Sequence, residues 1–186
     1  MNRLNIEREL LEGAIVREPV GDEKGYWVGA PGWCWDEADQ AAYLTYRIRR
    51  PRGVEPDRGG ESRIARTTDF ESFEDVWSVR KSQYDSASIE KSILRRGPDR
   101  QWRYFTSYVA PEDGRWCTAI NQAETVEALN PARVKRLFTA ADFGLEGVKD
   151  PWLIEVGGIY YLFLSVAINT ANTSDDSHDS LDIFNT

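Results

Sequence analysis

The feature that most constrains this chain is a self-similar unit that returns after about 60 residues, near the upper end of the repeat lengths that mark propellers and solenoids. Three segments align: Gly29 to Arg50, Ser88 to Pro111 and Val148 to Ala167. Each reads as an apolar strand, a polar turn and an aromatic-rich strand, the second strands centring on Leu44, Tyr104 and Tyr161. A further element follows the first two copies. Arg63 to Phe73 matches Thr118 to Leu129, and each leads into another short strand, Val76 to Lys81 and Val134 to Phe138. Turn chemistry at Gly59-Gly60, Gly97-Pro98-Asp99, Asp113-Gly114 and Gly157-Gly158 separates these runs. Four strands per repeat is the count of a propeller blade.

The chain therefore reads as all-β, with an N-terminal arm over 1–25 and a partial β-propeller over 26–186. Its blades are expected at 26–80 and 86–138, with an incomplete blade at 148–186, making about two and a half blades. A propeller needs about four blades to protect its edges, so the chain is expected to be part of a longer one. The competing architecture is a self-contained sandwich of about ten strands. Tyr43, Leu44, Trp102, Tyr104, Tyr161 and Phe163 are the expected strand cores, although a truncated propeller would leave some inter-blade surface bare. In the arm, Ile6, Leu10, Leu11 and Ile15 have helical spacing, which a short irregular segment could share.

Composition narrows the function. Hydrophobic residues make up 41% and aromatics 12% of 186 residues, enough for a real core. The 23 Lys and Arg against 31 Asp and Glu give a net charge of -8, so a polyanionic nucleic acid is not an expected partner. No run of about 18 apolar residues could span a bilayer, and charges interrupt the stretch where a signal peptide needs apolar residues. The expected location is cytoplasmic, with no membrane partner. Cys34 and Cys117 are too few for a disulfide framework and lack zinc-site spacing, so no metal or other cofactor is expected and both read as buried hydrophobes. The single histidine, His178, lies in a polar tail and reads as a solvated residue, which leaves carboxylates as the natural hydrolytic groups.

At the aligned segments the chain resembles the five-bladed β-propeller glycoside hydrolases of families 43 and 32. The residues that carry the resemblance are Asp150-Pro151-Trp152, the hairpin Gly157-Gly158-Ile159-Tyr160-Tyr161-Leu162, and Ala65-Arg66-Thr67-Thr68-Asp69 on an outer strand. It implies a funnel at the propeller axis where acidic residues from several blades meet a carbohydrate. One carboxylic acid there protonates the leaving oxygen while another activates water or attacks the anomeric carbon. Carried onto this chain, the resemblance makes Asp150 and Glu90 the candidate catalytic residues, expected within about 10 Å of each other so that both reach one glycosidic bond. Like charges at that range should raise the pKa of one of them.

Period-two alternation puts Glu90 on the polar face of its strand, with Ile89 and Ile93 turned to the opposite face. Trp33 and Trp35 share one face of the first inner strand and are candidates for stacking on sugar rings, with inter-blade packing as the other role. Arg47, in a basic run with Arg49, Arg50 and Arg52, is a candidate substrate contact. Asp36, Glu37 and Asp39 read as solvated turn residues. The first repeat departs from the family, because Ala30-Pro31 stands where many members have an Asp-Pro pair supplying a base or nucleophile. Three functions remain open on the sequence: a glycosidase, a non-catalytic carbohydrate-binding propeller, and a protein-interaction scaffold. The sequence leaves the oligomeric state open.

Overall fold

The computed structural model describes residues 13–168. Two four-stranded antiparallel blades and a hairpin opening a third account for nearly all its regular structure. The first blade runs β1 (Trp27–Asp36), β2 (Ala41–Arg49), β3 (Glu61–Thr67) and β4 (Glu74–Arg80), in that spatial order. The second consists of β5 (Ile89–Arg96), β6 (Trp102–Val109), β7 (Trp116–Ala123) and β8 (Lys135–Phe138). The hairpin is β9 (Gly147–Val156) with β10 (Ile159–Ala167), tied to the second blade by one parallel pair, Trp116 with Gly147.

Local chemistry explains the reversals. Gly157 and Gly158 both take positive φ, 60° and 79°, as a two-residue hairpin turn requires. At the β3–β4 turn, the Asp69 carboxylate accepts the N–H groups of Glu71 and Ser72 and the Thr67 hydroxyl. Those bonds, from Ser72 and then Glu71, hold its carboxyl down at about 2. A one-turn helix, α1 (Ala140–Phe143), is closed by a reciprocal Thr139–Asp142 cap and ends at Gly144.

The core lies between blades. Cys34, Tyr43 and Ile64 of the first blade meet Leu94, Trp102 and Tyr104 of the second. Tyr43 packs edge-on against Trp102 with ring centroids 4.6 Å apart, and Trp77 against Tyr104 at 5.0 Å. Hydroxyls bridge the same interface: Thr45 Oγ1 donates to the Ser92 carbonyl at 2.6 Å, and Tyr104 donates to Ser62 Oγ at 2.8 Å. Gly32 permits this approach, since a Cβ there would fall 2.5 Å from Thr45 Oγ1 and 2.6 Å from the Ser92 carbonyl. Cys34 and Cys117 are free and buried, and burial pushes both thiols up, Cys117 to about 11.

Several expectations change. Tyr161 and Phe163 are 45% and 54% exposed, because no strand beyond β10 and no further blade covers the hairpin among the described residues. Asp36 is not a solvated turn residue. It is buried and paired with Arg96 of the second blade at 2.9 Å, and Asp39 joins the same guanidinium at 3.1 Å. The expected helical stretch lies mostly outside the described residues, while Gly13 to Val16 forms no regular element. Arg17 fixes the arm by bonding Tyr46, Asp75 and the Phe73 carbonyl. His178 lies outside the described residues.

Candidate functional site

The innermost strand of each blade carries the same defect. Two residues on it stand against one residue of the next strand, which makes a β-bulge. In β1, Ala30 and Pro31 oppose Tyr46; in β5, Glu90 and Lys91 oppose Ser107; in β9, Asp150 and Pro151 oppose Leu164. The leading residues are Ala30, Glu90 and Asp150, evenly spaced along the chain. Ala30 and Asp150 take positive φ, 52° and 57°, a region that Asp tolerates and Ala resists. Bulges re-aim side chains beside active sites. These three mark the same position on the innermost strand of every blade.

Glu90 and Asp150 share one electrostatic neighbourhood, and Arg47 belongs to it. Arg47 Nη1 pairs with Glu90 Oε2 and also donates to the Ile89 carbonyl at 3.2 Å. This pair is largely withdrawn from solvent, with 11% and 19% of the two side chains exposed. The Asp150 N–H donates to Ser107 Oγ at 3.0 Å, which fixes the third bulge to the second blade. Burial raises the Asp150 carboxyl above its ordinary value and the Glu90 charge adds to the rise, while Lys149, Arg47 and Lys91 oppose it. Lys149 Nζ lies 3.8 Å from Asp150 Oδ2. Each cation also sits over an indole: Arg47 over Trp27 at 5.2 Å, Lys91 over Trp152 at 4.7 Å, and Lys149 over Trp116 at 5.2 Å. The result is a carboxyl whose pKa is raised, in the field of a second carboxyl clamped by a guanidinium, with the exposed indoles of Trp27 and Trp152 alongside.

No protein-family model matches the sequence, and no curated protein matches it. Solved structures do. A GH43_1 enzyme from Xanthomonas citri, complexed with xylotriose, superposes with a TM-score of 0.57 at 15% identity, covering 83% of this chain and 44% of that one. A GH32 β-fructofuranosidase from Bombyx mori gives 0.54 at 14% identity, over 79% and 31%. A B. subtilis levansucrase gives 0.51 at 14% identity, over 96% and 56%. The likeness is one of fold: the described residues match part of the five-bladed β-propeller fold of these structures. The chain spans roughly a third to just over half of the length of these three propellers.

Within that fold, the residues singled out from sequence divide. Arg47, Glu90 and Asp150 come together at the bulges. Trp33 and Trp35 do not join them. Trp33 pairs with Leu44 in the β1–β2 ladder, on the face turned away from the second blade, whereas Cys34 and Tyr43 face that blade. Both tryptophans stack instead on Phe70 of the β3–β4 turn, with centroids 6.0 and 5.8 Å apart. Ile89 also departs from its expected side. The bulge puts it on the same face as Ser92, because their partners Tyr108 and Thr106 lie two residues apart. Sequence reasoning missed Trp27, Lys91, Lys149 and Trp152. Three of them adjoin the bulges, and the paired Ala30-Pro31 and Asp150-Pro151 steps were the available signal.

Proposed function

We propose that the bulge cluster is a carbohydrate site of glycosidase type. Asp150, whose pKa is raised, gives a proton to the leaving glycosidic oxygen as the C–O bond breaks and recovers one from the water that bonds to the anomeric carbon, or it holds a sugar hydroxyl in place. Glu90, kept in position by Arg47, faces the positive charge that develops at the anomeric carbon. The exposed rings of Trp27 and Trp152 offer apolar faces to the sugar. The observation that carries this reading is the convergence of Asp150, Glu90 and Arg47 at matching bulges of a glycosidase-like fold.

Ala30 favours a second reading, binding without hydrolysis, because the first bulge carries no carboxylate to activate water. One experiment separates the two. Reducing-sugar release is measured over a panel of oligosaccharides and aryl glycosides, with binding measured in parallel by calorimetry. Hydrolysis that falls about a hundredfold or more in both Asp150→Asn and Glu90→Gln supports catalysis. Binding without turnover selects the second reading. Absence of both overturns the carbohydrate assignment.

A further inference from the structure

Although the chain as a whole is acidic, with a net charge of -8, the surroundings of the bulge cluster are cationic. Arg47, Lys91 and Lys149 all act on Asp150, and Arg58, Arg47, Glu90 and Arg52 all act on Arg49. Geometry places them there. Arg49 stands opposite Trp27 in the β1–β2 ladder, whose indole carries Arg47. Arg58 lies in the β2–β3 loop, which is seated on the start of β5 where the Ile89 N–H donates to the Gly59 carbonyl at 2.7 Å.

Two guanidinium donors in this group, Arg47 Nε and Arg58 Nη2, are buried without a hydrogen-bond partner among the described residues. Buried donors ordinarily find acceptors, so these two call for one. The guanidinium fork suits a carboxylate or sulfate oxygen pair better than a lone hydroxyl.

Resting on the carbohydrate reading above, we propose that this site takes an acidic saccharide, one bearing a carboxylate or sulfate group, with the anionic substituent met by Arg58 of the β2–β3 loop and by Lys91. Calorimetry on the protein tests it with three probes of matched length: a uronate oligosaccharide, a sulfated one and a neutral one, each at low and high salt. At least one acidic probe should bind about tenfold more tightly than the neutral one at low salt and lose most of that margin at high salt. Tighter uronate binding assigns the group as carboxylate; tighter sulfate binding assigns it as a sulfate ester. Lys91→Gln should cut acidic-probe affinity severalfold and flatten its salt dependence, with Arg58→Gln as the second variant. Equal or tighter binding of the neutral probe, without salt dependence, overturns the acidic preference and leaves the carbohydrate site standing. No binding by any probe overturns both.

Discussion

The bulges at Ala30 and Asp150 share a backbone and differ in chemistry. Each is a two-against-one defect on an innermost strand, each has positive φ at its leading residue, and each continues into proline. Proline keeps its own φ near −65° and disfavours a helical conformation in the residue before it, and both constraints serve the bulge. The third blade uses this geometry to present a carboxyl; the first presents a methyl group. The first bulge therefore carries the left-handed backbone without a carboxyl to display. Ala has no side-chain oxygen to ease a left-handed conformation, so packing against the rest of the blade must hold Ala30 in place.

Four changes break or sharpen that comparison. The largest effect is expected at the third bulge, where Asp150→Asn should lower any glycosidase turnover by about a hundredfold or more, read in a steady-state assay. An unchanged rate would make Asp150 as mute as Ala30. Next, Arg47→Met leaves Glu90 poorly solvated without its counter-ion and should cost about 2–3 kcal/mol in urea unfolding, whereas Arg47→Met with Glu90→Gln should recover part of that loss.

The third change concerns pH. The folded-state pKa of Asp150 lies above its ordinary value, so its protonated form is the one folding favours. That contribution is complete below the ordinary carboxylate pKa and is lost as pH rises through the raised folded value. Asp150→Asn should accordingly gain stability on the wild type between acidic and neutral pH, measured as the difference between thermal midpoints across a pH series. The smallest effect is expected at the first bulge. Ala30→Gly should stabilise the protein by about 0.5–1 kcal/mol, since relief of the left-handed cost exceeds the added unfolded-state entropy. Asp150→Gly should yield less relief, because Asp already tolerates that conformation.

The blades were legible because they depend on local alternation and on turn residues repeated along the chain. The candidate site was legible in part. Asp150 announced itself through the following proline and Glu90 through its place in the repeat. Nothing local distinguishes Glu90-Lys91 as a bulge, however, and a bulge reverses the two-residue alternation used to assign faces. For that reason the side of Ile89 was misread. Trp33 and Trp35 were correctly placed on one strand and one face, but only the ladder and the position of the second blade reveal that the face points away from Arg47. The Arg47–Glu90 pair joins different blades, so no sequence window contains it.

The bulges are also anchored across blades. Thr45 of the first blade holds the Ser92 carbonyl just past the second bulge, and Ser107 of the second blade holds the Asp150 N–H in the third. Each presented side chain is thus set by the blade that precedes it in the chain. On a ribosome that preceding blade emerges first, at about 5–20 residues per second, so a unit of about 60 residues appears every few seconds. For the second and third bulges, each template is synthesised before the strand that needs it, which gives the site a direction of synthesis from N- to C-terminus.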